Sequence, residues 1–220
     1  MAVPPGESRF LDAVLQNPRV RDVLTRADAL DLPDWYLAAG CLFQTVWNVL
    51  DGRDPEHGIN DYDLIYHDDC DLSWDAEDVV IRRCAEAFGD LGVDVEVRNQ
   101  ARVHLWYEDH FGVPYARLRS STDAVDRYAA HACRVAVRTS SAAPRHGSDQ
   151  ASDHGYDGGY DVYAPSGFDD LFAFVVRPNP VVAPREVYET KSARWARLWP
   201  RLTVLPWPED ARPPPGGPPG

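Results

Sequence analysis

The chain has 220 residues, 44% hydrophobic and 11% aromatic, with a formal net charge of −13 at pH 7. Such a length and composition predict one well-packed globular domain with small additions. The acidic excess works against a non-specific grip on long DNA or RNA, which needs Lys and Arg surfaces, though it leaves room for a local basic patch. No window approaches 18 continuous apolar residues, so no membrane span is expected. Residues 1–7 lack the basic and apolar regions of a signal peptide. Cys41, Cys70, Cys84 and Cys133 form no CxxC pair. They read as reduced thiols of a cytoplasmic protein, with neither a zinc site nor a disulfide framework.

Residues 1–34 read as an N-terminal helical segment, with one or two amphipathic helices over 8–30. Residues 35–39 predict a short strand, Gly40-Cys41 a turn, and 42–50 a helix with Phe43, Val46, Trp47 and Leu50 inward. A polar loop follows to Asn60, then a strand over 61–66 and an acidic turn over 68–71. Residues 74–91 predict a helix with Asp75, Glu77 and Asp78 in its first turn, which suits the positive end of the helix dipole. Residues 93–97 alternate as Val-Asp-Val-Glu-Val, a strand with one acidic face. Further strands are expected at 103–107, 134–138 and 160–163, and helices at 122–132, 168–175 and 184–199. The domain proper spans 35–205. A Ser/Ala/Gly/Asp/His-rich stretch at 139–159 reads as a disordered insertion, and 206–220 as a disordered Pro/Gly tail. His146, Asp149, Asp153, His154 and Asp157 in the insertion could bind a metal weakly but read better as a solvated loop. Mixed helices and strands in this order predict an α/β (α+β) fold, a small mixed sheet with flanking helices.

Chemistry concentrates around Asn60-Asp61-Tyr62-Asp63. Residues two apart on a strand share a face, about 6–7 Å apart at the backbone, so Asp61 and Asp63 can converge on divalent ions. A third carboxylate must come from a neighbouring strand; Glu96 is the first choice and Asp94 the second. Mg²⁺, or Mn²⁺, takes such oxygen ligands and leaves positions for water and phosphate. Gly40, at a strand-to-helix turn, lets a phosphate approach the backbone. Lys191 is the only lysine among 22 Lys and Arg residues. It is either a remnant of drift toward Arg or a place that needs a compact ammonium. Arg98, Asn99, Gln100, Arg102 and His104 form a polar run that is either an exposed turn or a pocket lining, with Arg102 on phosphate. His104 reads as a satisfied strand histidine rather than a base. Trp47, Trp106, Trp195 and Trp199 read as core residues, one of which could stack on a base.

An apolar strand, Gly plus a small residue, a helix, Asp-x-Asp and an acidic third strand together resemble the DNA polymerase β-type nucleotidyltransferase superfamily. Stretches 40–48, 58–66, 96–104 and 191–200 more closely resemble a bacterial family of small nucleotidyltransferase-like proteins with no assigned substrate. The resemblance runs from about residue 35 to 207, broken by the insertion. It implies a nucleotidyltransferase core in which Asp61, Asp63 and Glu96 are catalytic metal ligands. Gly40, Cys41, Asn60, Arg102 and Lys191 would bind the nucleotide. Cys41 departs from the usual Ser or Gly, Glu96 from the usual Asp, and the two motifs stand further apart than is usual. The implied activity moves an NMP from an NTP to an acceptor hydroxyl, on a small molecule or a protein. A catalytically inactive relative that binds nucleotide or a protein partner is the alternative, and a toxin–antitoxin-type transferase acting on a macromolecule is a third.

Overall fold

The computed structural model describes residues 4–140 and 159–209. Most of the expected insertion, with His146, Asp149, Asp153, His154 and Asp157, and most of the expected tail lie outside the described residues. The chain opens with α1 (Pro5–Val14) and α2 (Pro18–Leu30). Each starts on a proline, whose missing N–H is harmless at a first helical position. Asn17 caps α2, its Oδ1 accepting from the Arg19 and Val20 amides at 2.9 and 3.2 Å. Strand β1 (Tyr36–Ala38) runs into α3 (Gly40–Leu50), and β2 (Asp61–Tyr66) is followed by α4 (Trp74–Phe88) and β3 (Asp94–Asn99). Short helices α5 (Tyr107–Phe111) and α6 (Ser121–Val125) precede β4 (Ala136–Ser140) and β5 (Gly159–Tyr163). The last elements are α7 (Asp169–Phe172), β6 (Val175–Val176), α8 (Arg185–Leu198) and β7 (Thr203–Val204). Among the described residues, no helix is long and apolar enough to cross a membrane.

Five strands form one mixed sheet in the order β3-β2-β1-β4-β5, with β2 and β3 parallel and the other pairs antiparallel. Strands β6 and β7 make a separate parallel pair. Leu37, Tyr62, Leu64, Tyr66, Val97 and Val137 point from the main sheet into the principal core beneath the helices. The opposite face holds only a small cluster of Tyr36, Ala38, Ile65, Val125 and Ala136. Because strand side chains alternate, the face of β2 that carries Ile65 also carries Asp61 and Asp63.

Three sequence expectations fail: the helix expected over 168–175 is the single turn α7, with Val175 already in β6, and two others fail for local reasons. The strand expected at 103–107 is a 3-10 turn (Gln100–Leu105) followed by α5. Buried Asn99 ends β3 by accepting from the Ala101 and Asp68 amides at 3.0 and 3.1 Å, which turns the chain off the sheet edge. The helix expected over 122–132 stops at Val125. Beyond it, Asn179 Nδ2 donates to the carbonyls of Asp126 and Tyr128 at 2.9 and 2.8 Å. Those carbonyls are thereby drawn out of helical pairing.

The loop before β2 is tied to α3 and α8, with the Asn48 amide at the centre. Asn48 Nδ2 donates to the carbonyls of Pro55 and His57 at 3.0 and 2.8 Å, and Asn48 Oδ1 accepts from Trp199 Nε1 at 2.8 Å. Gly58 adds a close contact: it sits at φ 71°, and a Cβ there would lie 3.2 Å from Leu198 and Trp199. Asn48→Ala leaves the buried Trp199 indole N–H and the His57 carbonyl without their partner, while Pro55 O keeps longer contacts to Thr45 Oγ1 and Asn17 Nδ2 at 3.4 and 3.5 Å, so we expect a loss of about 1–3 kcal/mol of stability. Urea unfolding measures it, and a loss below about 1 kcal/mol would show that water replaces the amide.

Candidate active site

Strand β1 ends on a strained residue. Ala39 sits at φ 55°, ψ −120°, a region for glycine that an L-residue holds at a cost of about 1–3 kcal/mol. The turn therefore falls one residue earlier than expected, and Gly40 is already the first residue of α3. Gly40 lies on the wall of a cavity of about 400 Å³. A Cβ built on it would stand 3.0 Å from Gln44 Nε2 and 3.7 Å from Asp61 Oδ1. A helix N-terminus thus approaches a carboxylate with no side chain between them.

The parallel register sets Asp63 opposite Glu96 and Asp61 opposite Asp94. Of the two candidates for a third acid, Glu96 lines the cavity. Gly40, Asn60, Asp61, Asp63, Glu96 and Lys191 are all brought to this one cavity. Lys191 comes from α8, whose Trp195 is part of the cavity wall and of the core at once.

Two expected residues are not brought in. The Cys41 side chain is fully buried, its Sγ 3.6 Å from the Ala38 carbonyl. Burial, then the charges of Asp63 and Asp61, push its thiol well up, so it is a neutral core group. Only its backbone belongs to the first turn of α3. Arg102 is held elsewhere: its guanidinium pairs with Glu77, donates to the Leu72 carbonyl at 3.0 Å, and lies 5.4 Å from the Trp74 ring centroid. Glu77 is only 5% exposed and would otherwise be an unpaired buried carboxylate, so Arg102 is needed there. His104, expected as a satisfied strand histidine, lies in the 3-10 turn with a buried Nδ1 that has no partner.

Three lining residues escape a sequence reading. Gln44 is 4% exposed and its Oε1 has no partner. A buried amide oxygen without a donor costs about 1–3 kcal/mol, which a ligand can offset. Its spacing of four from Gly40, one helical turn, was a usable signal. Arg194, three residues beyond Lys191, donates from Nη2 to Gly58 O and Asn60 Oδ1, both at 2.8 Å. Tyr128 comes from an irregular segment with no periodicity to mark it. Burial and the charge of Asp63 raise its phenol well above the ordinary range, so it stays protonated.

Burial pushes the Asp63 carboxyl up to about 7; Asp61 and Glu96 add to this, while Lys191 and Arg98 oppose it. Carboxylate oxygens are suitable donors for Mg²⁺ or Mn²⁺. The face shared by Asp61 and Asp63, with Glu96 in register, fits a divalent cation in donor chemistry. Among the described residues, however, no three acidic, His or Cys side chains stand grouped to hold one. Glu96 Oε1 is turned to Arg98 Nη2 at 2.6 Å.

A mixed sheet with an acid-lined cavity beside a helix N-terminus defines a class of phosphate-handling folds, and comparison with known proteins places the chain within it. The chain belongs to a nucleotidyltransferase family, whose model matches residues 25–204. It is also similar to an NMR structure described as revealing a CCA-adding enzyme head domain. The TM-score is 0.67 and the identity 25%, over 90% of this chain and 95% of that one. No curated protein matches. Family and fold together support transfer of a nucleoside monophosphate in general terms.

Asp63 makes a pH prediction. Its value in the folded chain, about 7, lies above the ordinary 3.8, so between these values the folded state binds the proton more tightly. The stability it contributes is full below about pH 4 and lost as pH rises through about 7. Without divalent metal, wild type should lose stability between pH 5 and 8. Asp63→Asn should be flatter, and more stable at pH 8 by up to about 4 kcal/mol. Urea unfolding at both pH values in a chelator tests this; parallel profiles for the two proteins would refute it.

Proposed function

We propose that this chain transfers an NMP from an NTP to the hydroxyl of a small-molecule or protein acceptor, with Mg²⁺ or Mn²⁺, and releases pyrophosphate. The observation that carries the reading is the meeting, in one cavity, of Asp61 and Asp63 with Gly40 at the start of α3 and the cations Lys191 and Arg194. The acceptor oxygen bonds to the α-phosphorus, and the bond from that phosphorus to the β-phosphate oxygen breaks. The backbone at Gly40 and Cys41 would take phosphate oxygens at the positive end of α3. Lys191 and Arg194 would neutralise the triphosphate. Asn60, oriented by Arg194, and the unpartnered Gln44 amide would fix the nucleotide against the wall. Asp61, Asp63 and Glu96 would hold the divalent cation, which when bound polarises the phosphate and the attacking hydroxyl. The raised Asp63 carboxyl supports this, since a buried carboxylate beside a second acid gains most from a cation. Four free cysteines fit a cytoplasmic setting.

The Glu96–Arg98 pair favours a second reading, a relative that binds nucleotide without turnover because its third acid stays engaged. Thermal unfolding with Mg²⁺ or Mn²⁺ and each NTP separates these readings when run beside an assay for pyrophosphate. At 100 times its Kd a nucleotide stabilises by about 2.7 kcal/mol. We expect a metal-dependent shift in wild type that is absent in the Asp61→Asn/Asp63→Asn double variant, with pyrophosphate release at least a hundredfold lower. A shift without pyrophosphate for any acceptor would select the binding-only reading. No shift with any nucleotide would sink both.

A further inference from the structure

A second cavity, of about 290 Å³, adjoins the first. The two share Asp63, Glu96, Tyr128, Ala129 and Lys191 in their walls. Gly40, Asn60 and Asp61 line only the first, whereas Trp106, Tyr107, Phe111 and Tyr115 line only the second. One cavity therefore offers a helix N-terminus and cations, and its neighbour offers aromatic rings, with the carboxylates between them.

We propose that the second cavity is the acceptor site, and that its occupant is a single flat aromatic small molecule bearing a hydroxyl group. This rests on the transferase reading and extends it to the acceptor's chemistry. Trp106 is 44% exposed, and α5 after it buries none of its residues. The rings nevertheless hold one another in place, with Tyr107 centroids 4.2 Å from Tyr115 and 4.6 Å from Phe111. Rigid aromatic walls with an open face favour a stacked ring and reward its burial. A cavity of this size accepts one ring system.

The charges here argue against a phosphate-bearing polymer. Arg98 is engaged by Glu96 at 2.6 Å. Arg127 donates to the Ala116 carbonyl at 2.8 Å and lies 4.6 Å over the Tyr115 ring. That leaves Lys191, shared with the first cavity, and one such cation is not the track that a phosphate-bearing polymer needs; the chain's net charge is −13. An aliphatic polyol would gain less from these ring faces than a flat aromatic does. In the reaction, the acceptor's hydroxyl oxygen attacks the α-phosphorus from the Glu96 side. An O–P bond forms, pyrophosphate leaves with the electrons of the broken bond, and the hydroxyl proton passes to solvent.

The test measures binding to the full chain without nucleotide, by equilibrium dialysis and saturation-transfer NMR. The probes are adenosine, riboflavin, pyridoxine and tyrosine, set against glycerol, inositol, serine and a short single-stranded RNA. We expect at least one aromatic probe to bind and the others not to. Trp106→Ala and Phe111→Ala should each weaken that binding about tenfold, and Trp106→Phe should restore most of it. The NTP-induced thermal shift should survive all three substitutions. The proposal is overturned if no aromatic probe binds, if RNA or polyols bind as well, or if Trp106→Ala changes nothing. Loss of the NTP shift in Trp106→Ala would assign the cavity to the nucleotide's own base, overturning this proposal while leaving the transferase reading intact. Loss of that shift in wild type would strike the transferase reading itself.

Discussion

The unequal burial of the sheet's two faces governs this molecule: one carries the main core and the other only a small cluster. Along β2, Tyr62, Leu64 and Tyr66 are 0–2% exposed and enter the main core. Each such side chain contributes about 1.5–3 kcal/mol by leaving water. Their burial leaves Asp61 and Asp63 no choice of face. A slip of one residue would bury the carboxylates and expose three core side chains, so the acids are held together by packing that has no interest in them. Strand β3 is set by the same logic: Val97 goes into the core, and Glu96 is left level with Asp63.

The cationic wall is tied to the acidic one by a second route. Helix α8 is anchored where Trp195 meets Phe43 at 5.1 Å and Trp199 meets Trp47 at 5.5 Å. Trp199 then donates to Asn48, which also holds the loop that delivers Asn60 and Asp61. Lys191 and Arg194 sit on the same helix, so their distance from the carboxylates is set by aromatic packing and one buried amide. Preorganisation of this kind is what charge stabilisation needs, because nothing has to rearrange when the charge arrives.

How much of this was legible follows from the range of the interactions involved. Strict alternation over 93–97, and two acids two apart at the head of an apolar run over 61–66, revealed both acidic strands and their acid-bearing face, because burial of a strand is written locally. Gly40, Lys191 and the Asp pair were legible for the same reason, as unusual residues at meaningful places. Cys41 and Arg102 were not, since their fates depend on distant partners. The first turn of α3 points position 41 under β1, and Arg102 answers Glu77, which in sequence is only an acid in a first helical turn. Residues 103–107 have strand-like composition, but Asn99 bends the chain away before it can pair. The β6–β7 pair is two residues long and carries no pattern at all.

The two Arg–Glu pairs beside β3 show how one local motif can serve opposite ends. Glu77 and Arg102 are 5% and 12% exposed, and Glu77 also accepts the Asn99 amide at 2.8 Å. Removing either partner would strand a buried charge, so this pair is a fixed clamp on the turn that follows β3. Glu96 and Arg98 are 40% and 49% exposed. An ion pair in that setting is worth about 0–1 kcal/mol, because water replaces either partner cheaply. A divalent cation beside Asp61 and Asp63 outcompetes such a partner easily. If the proposed cation is held there, Glu96 would need only to turn its side chain from Arg98, with the backbone register already in place.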